Sequence, residues 1–374
     1  MSDATYRIGV IGCGRKGTEH ARAYVLNPRA EVVAAADSDP ENLSLFGERF
    51  GVPTYSDFRE MIRSEAIDIV SAVLPVSANY EVVMACAGLG VKAICTEKPL
   101  ASKLSDADAM VDECRRRGIK FGCGDLERNH EAYWRAKQII DSGELGALRS
   151  ISYYQGGGTQ LSGGGCQNFS LMRLFAGDAD VDFVIGWLTD DPWSEYDQGG
   201  SGYVRFVNGV EAFSHIRDTG RRGFELLCER GIIFSDNQFI TMWKASPDEN
   251  HPTARSLEQV DGVFSNTEGL HSGFGTIDDE GWERPGGRQR NTIQSMIDAL
   301  DEDIEPRGNG DNGRNVLEMA IGWRESHRQG HVPVKLPLVD RSLRLFPVPG
   351  RMYNKKEVMG RDWYNKEMGR YKRA

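Results

Sequence analysis

Over residues 6–124 the hydrophobic positions fall in short solid runs, separated by stretches whose apolar residues recur at helical spacing. Tyr6–Ile11 is an apolar run that stops at Gly12, the pattern of a strand buried on both faces. Thr18–Leu26 then reads as a helix and Glu31–Ala36 as a second strand. Pro40–Phe50 is a helix with its proline early, where a missing N–H costs nothing. Ile67–Leu74, Lys92–Thr96 and Lys120–Cys123 are further strands, and Tyr80–Leu89 and Asp106–Arg117 are helices closed by Gly90 and Gly118. This βαβ rhythm predicts a mostly parallel, doubly wound sheet with right-handed crossovers.

The pattern changes near residue 125. Ala132–Ser142 is an amphipathic helix ending at Gly143, and Leu148–Tyr154 is a strand of alternating character. The glycine-dense stretch Gly156–Gly165 must be a loop, either a plain linker or a segment that gates a site. Leu171–Phe175 is the core of a short helix. Asp182–Leu188, Ser201–Phe206, Glu211–Ile216 and Phe224–Cys228 are strands of an open sheet, two of them joined by the hairpin signal Asn208-Gly209. Residues 245–290 are polar and rich in Gly, Pro, Asp and Asn, and are expected to form a long excursion. Asn291–Asp301 and Asn315–His327 are late helices. Residues 346–374 mix Lys and Arg with aromatics and are expected to be an arm wrapped on a neighbouring surface or subunit.

A length of 374 residues suits two domains, and 40% hydrophobic with 27% charged residues is ordinary for a soluble globular chain. The net charge of -10 argues against nucleic acid or an anionic membrane as partner. No run of 18 apolar residues offers a spanning helix, and the apolar run near the N-terminus reads as a first strand, not as a signal peptide. Seven cysteines at scattered positions, none in a CxxC pair, fit reduced thiols in the cytoplasm. The seven histidines share no metal-ligand spacing with them, so no metal site is expected.

Candidate chemistry begins at Ile8–Gly17, IGVIGCGRKG, where Gly12, Gly14 and Gly17 form a GxGxxG between a strand and a helix. In that context each glycine has a task. Gly12 allows the tight turn, Gly14 lets backbone approach a pyrophosphate, and Gly17 lets the helix pack on the strand. The intervening Cys13, Arg15 and Lys16 are expected beside the same cofactor, at the positive end of the helix dipole. Asp37 ends the second strand 20 residues after Gly17, where an acid hydrogen-bonds the ribose 2′-hydroxyl of a dinucleotide. A 2′-phosphate would meet a like charge there, so NAD is favoured over NADP. Asp39 is the better cap for the helix after Pro40.

A second marker is Thr96-Glu97-Lys98-Pro99-Leu100-Ala101, again following a strand. With the glycine motif, Ala132–Gly146 (AYWRAKQIIDSGELG), Gly200–Ile233 and Gly313–Leu338, it resembles the glucose–fructose oxidoreductase/inositol dehydrogenase (Gfo/Idh/MocA) family. The resemblance implies an NAD-binding Rossmann domain over residues 1–124. An α+β domain on a large open, mainly antiparallel sheet follows over 125–345, and that sheet commonly packs in homodimers or homotetramers. It also implies hydride transfer between the nicotinamide and a hydroxyl-bearing carbon of a sugar, cyclitol or related polyol.

Lys98 matches the family lysine near the nicotinamide, and the chemistry needs such a group. Hydride leaving a carbinol carbon strands a proton on oxygen, and a desolvated lysine can have its pKa lowered toward ~7–8 to handle it. Glu97 matches the acid near the nicotinamide ribose, and Pro99 is expected to fix the turn that presents Lys98, through a cis bond. Leu74, Pro75 and Asn79 fall at the cofactor as well.

The chain also departs from the family. The histidine of a second-domain helix falls on Gln167, its acidic companion on Ser170, and an earlier family histidine on Asn79. Gln167 and Tyr153, with Tyr154 as a substitute, are the candidates to assist Lys98, while Arg128, Tyr153, Gln167 and Asn168 are expected at the substrate. His130 is a lesser catalytic candidate, and packing is expected of His20 and His215. Trp187 and Trp193 suit a sugar face or the core. Two other functions remain open at this point. One is an NAD-recycling lyase, epimerase or glycoside-cleaving enzyme working through a transient keto-sugar, and the other is a non-catalytic nucleotide-binding sensor.

Overall fold

The computed structural model describes residues 5–124, 127–155, 160–189, 191–197, 199–216, 223–236, 239–248, 251–265, 276–277, 283–284 and 287–369. The chain divides into two compact units. One joins residues 1–126, 273–317 and 342–374, and the other joins 127–272 and 318–341.

The first unit opens with β1 (Tyr6–Ile11), α1 (Arg15–Val25), β2 (Ala30–Ala36), α2 (Pro40–Phe50), β3 (Thr54–Tyr55) and α3 (Phe58–Glu65). It continues with β4 (Ile69–Ala72), α4 (Val76–Gly88), β5 (Ala93–Glu97), α5 (Leu104–Arg116) and β6 (Lys120–Gly124). The sheet runs β3-β2-β1-β4-β5-β6 with every pair parallel. The strand order therefore reverses between β1 and β4, which opens a crevice at the carboxyl ends of the strands. Asp39 caps α2 as expected, accepting from Glu41 N at 2.9 Å. The short β3 and α3 were not among the expected elements. A strand of two residues carries no periodicity, and only Met61 and Ile62 of α3 are buried.

The second unit begins with α6 (Glu131–Asp141), β7 (Leu148–Gln155), α7 (Gly165–Phe175), β8 (Val181–Leu188) and β9 (Gly200–Phe206). Then come β10 (Glu211–Ile216), β11 (Gly223–Cys228), β12 (Gly231–Ser235), β13 (Phe239–Asp248) and β14 (His251–Ser265). Beyond a small ladder of β15 (Thr276–Ile277) and β16 (Glu283–Arg284) lie α8 (Gly287–Asp301), α9 (Gly310–Arg328) and β17 (Val334–Lys335). Among the described residues the large sheet has nine strands, ordered β14-β13-β12-β11-β7-β10-β9-β8-β17. It is antiparallel except for β7 beside β10. Asn208-Gly209 turns β9 into β10 as expected, with Gly209 at φ 90°.

Two expectations need correction. Residues 245–290 are not simply a polar excursion, because β13 and β14 form a long edge hairpin reaching to Ser265. Residues 256–263 of its outer strand are exposed or half-buried on both faces, so no period-two pattern marks them. Residues 266–275, 278–282 and 285–286 of that stretch lie outside the described residues, as do 156–159 of the glycine-dense loop. The second correction concerns α8. Ile293, Met296 and Ile297 share one core with Ile8, Val10, Tyr24 and Cys95, so this helix belongs with the first unit although it falls inside the expected 125–345 domain. A Cβ on Gly122 of β6 would come within 2.5 Å of Met296 Sδ, so the strand is glycine where the helix presses on it.

The last segment is α10 (Pro349–Met352), α11 (Lys355–Met359) and α12 (Arg361–Gly369). The neighbouring surface that this arm covers is the chain's own first unit, where Met352 and Tyr364 are buried.

Candidate active site

The turn after β1 is built by steric necessity. Gly12 sits at φ 94°, and a Cβ there would lie 2.3 Å from Val73 O. A Cβ on Gly17 would lie 1.8 Å from Gly12 O, so the helix could not approach its strand. At Gly14, by contrast, an added Cβ meets nothing within 4 Å among the described residues. That open position precedes the first turn of α1, whose backbone N–H groups and positive dipole end suit a diphosphate. Arg15 and Lys16 flank it, and Glu19 pairs with Lys16 at 2.8 Å and with Arg15 at 3.8 Å.

Asp37 follows β2. Its carboxylate accepts from Cys13 N at 2.7 Å, Asp39 N at 2.9 Å and Asn42 Nδ2 at 3.2 Å, which fixes the acid at the rim of the crevice. The residues present thus fit a dinucleotide, with space at Gly14 for the diphosphate and an oriented acid for the adenosine ribose. Leu74 touches this turn, its Cδ2 lying 3.3 Å from where a Gly12 Cβ would be, and Pro75 is the N-cap of α4.

At the other end of the crevice, Glu97 closes β5 and is 9% exposed. His20 of α1, fully buried, places Nε2 3.0 Å from Glu97 Oε1 and Nδ1 3.0 Å from Ser71 Oγ on β4. Burial pushes the Glu97 carboxyl up, but the His20 hydrogen bond and the charges of Lys16 and Lys98 outweigh it and hold the pKa at about 2. Glu97 is therefore a carboxylate in a site that would otherwise protonate it. Sequence reasoning gave His20 a packing role and missed this chain of contacts. The available signal is weak: His20 lies one helical turn beyond Gly17, on the face of α1 that meets the sheet.

Lys98 follows directly, half-buried, and its peptide bond to Pro99 is cis. The Lys98 N–H faces Glu97 Oε2 at 3.3 Å. Asn79 of α4 donates from Nδ2 to Leu100 O at 3.1 Å and Pro99 O at 3.3 Å. It thus holds the turn that presents Lys98.

In the second unit α7 carries the residues in question. Gln167 is 8% exposed and Ser170 is fully buried. Asn168 is half-buried and lines a small cavity with Leu161, Gly165, Met172, Ser214 and Trp323. Arg128 is 4% exposed, with Nη1 donating to Ser170 O at 3.1 Å and Nη2 hydrogen-bonded to Asp178. It ties the middle of α7 to the turn that follows the helix. Tyr153 stacks at 4.5 Å on Phe224, on the helix-covered face of the sheet. His130 is buried against Tyr133.

Trp187 stacks on His331 at 5.6 Å and Trp193 lies under Arg328, and both indoles are exposed. An unexpected participant is Asp197, which is buried. It accepts from Leu161 N at 2.8 Å, Gly199 N at 3.0 Å and Ser162 Oγ at 2.6 Å, and pins the turn that leads into α7. The described part of the glycine-dense loop is thereby tied down. A lone Asp 35 residues from its partner leaves no trace in the sequence pattern.

The family model described as an oxidoreductase family with an NAD-binding Rossmann fold matches residues 6–125. Over these residues, about a third of the chain, it is similar to the NAD-binding domain of the Gfo/Idh/MocA family. Similar proteins include a D-apiose dehydrogenase of Paraburkholderia graminis, 36% identical over 142 residues, which are 38% of this chain and 38% of that protein. Another is a myo-inositol 2-dehydrogenase of Thermotoga maritima, 32% identical over 141 residues, which are 37% of this chain and 42% of that one. The chain thus spans about two fifths of the length of the curated relatives it matches. A levoglucosan dehydrogenase solved in complex with NADH aligns with a TM-score of 0.73 at 19% identity, covering 90% of this chain and 100% of that one. That likeness extends the shared fold over both units.

Proposed function

We propose that this protein is a member of the Gfo/Idh/MocA family and an NAD-dependent dehydrogenase acting on a hydroxyl of a sugar, cyclitol or related polyol. The observation that carries this reading is Lys98. It stands at the carboxyl end of β5, at the switch-point crevice, on a turn held by Asn79 and beside a carboxylate held ionised by His20. NAD, when bound, supplies the hydride acceptor. Gly12, Gly14 and Gly17 with the first turn of α1 hold its diphosphate, and Asp37 holds its adenosine ribose and disfavours a 2′-phosphate. Glu97 orients the nicotinamide ribose, and Lys98 takes or returns the hydroxyl proton of the substrate. Gln167 and Asn168 hydrogen-bond further substrate hydroxyls.

A homodimer or homotetramer is supported by the aromatic stripe across the uncovered sheet face. There Tyr154 stacks on His215 at 5.3 Å and Tyr203 meets Phe213 at 5.0 Å. The seven cysteines, all free and buried, fit a reducing compartment such as the cytoplasm.

A panel of sugars and cyclitols with NAD, followed at the NADH absorbance, tests the reading. One polyol should reduce NAD, and Lys98→Ala should lower kcat about 10³-fold while the NADH Kd stays within about threefold. Full activity in that variant removes Lys98 from the chemistry.

A further inference from the structure

The arm crosses the same crevice, and its anchors lie along it. Ser77, two residues after Pro75, donates from Oγ to Met352 O at 2.6 Å. At the far side Lys356 Nζ donates to Asp39 Oδ2 at 2.8 Å and Glu41 Oε2 at 3.0 Å. The Tyr364 hydroxyl bonds to Asn42, whose amide in turn donates to Asp37, the ribose acid. The arm therefore runs from the β4–α4 side to the β2–α2 side, the direction in which a dinucleotide would lie.

Between these anchors lies Lys355, whose pKa is lowered by burial and further by the charges of Arg15, Arg351 and Lys16. Arg15 and Lys16 open α1 and pair with Glu19, and Lys355 feels both of them together with Arg351, against Glu97. Such an excess repels itself unless an anion lies among the cations, and a diphosphate carries two negative charges. The anchors grip the rim and leave the position beside Gly14 clear.

Resting on the NAD reading above, we propose that the C-terminal arm is a strap that closes over the bound dinucleotide and adds Lys355 to the groups facing its diphosphate. The strap keeps the cofactor in place and does not compete with it.

The test compares the full chain, a chain ending at Val348, and the single variants Lys355→Ala and Lys356→Ala. The single variants keep the buried Met352 and Tyr364, so they report even if the truncated chain folds poorly. NADH release is timed by stopped-flow fluorescence with excess NAD as the chase, and tryptic cleavage within 349–369 is followed with and without NADH. The strap predicts release about tenfold faster in each altered protein, with weaker Kd, and NADH protection of the arm from trypsin in the full chain. Unchanged release rates in proteins that bind NADH, or tighter binding after truncation, overturn the strap alone. A full chain that binds no NADH overturns the cofactor reading itself.

Discussion

The two units place their functional positions in different currencies. In the first, the crevice is made by backbone that must pass close to backbone, as at Gly12 against Val73 O and Gly17 against Gly12 O. The turn that shapes it depends on residues that lack a side chain. In the second, the surroundings of α7 are made by polar side chains reaching across the fold: Arg128 to Ser170 and Asp178, and Asp197 to the turn before the helix. A site set by backbone leaves little freedom of residue type. A site set by side chains can exchange one functional residue for another and keep its scaffold.

The comparison breaks most sharply at Gly17. Gly17→Ala puts a methyl where Gly12 O already lies, and should weaken NADH binding more than about 100-fold or cost at least ~3 kcal/mol of stability. Isothermal titration beside chemical denaturation separates the two, and near-normal values for both would refute the steric account.

Next is Glu97. Its pKa in the folded chain, about 2, is below the ordinary 4.5, so its contribution to stability is complete above pH ~4.5 and fades as pH falls toward 2. Glu97→Gln should lose on the order of 2–3 kcal/mol at pH 7 in urea unfolding, with the gap to the native protein closing between pH 4.5 and 2. A gap independent of pH would show that the carboxylate is not the group held by His20.

The smallest effect belongs to α7. Gln167→Ala should raise KM for the polyol about tenfold and leave the NADH Kd alone, because the proposed function gives Gln167 a contact with substrate and none with cofactor. A change in cofactor affinity without a change in KM would reverse that division of labour.

What could be foreseen from the chain depended on how far apart the cooperating residues lie. The GxGxxG turn, Asp37, the Asp39 cap and the Asn208-Gly209 hairpin are each contained within a few residues, and the structure has them where expected. The edge hairpin of β13 and β14 was hidden because its outer strand is polar on both sides. His20 was hidden because its partner Glu97 lies 77 residues away, and a single histidine on a helix has no spacing to betray it. Asn79 showed only as a missing histidine, and its grip on the Lys98 turn needed coordinates to be seen.

The underside of the nucleotide domain has a further consequence, one of timing. Ile293, Met296 and Ile297 fill a core whose other half is laid down between Tyr6 and Cys95. A ribosome making this chain releases the whole parallel sheet well before the helix that seals it emerges. For that interval the nascent domain presents a greasy face to the cell, and a fragment expressed alone through residue 125 would present it permanently. Dissecting this protein at its apparent domain boundary should therefore yield aggregates unless residues 287–301 are grafted back.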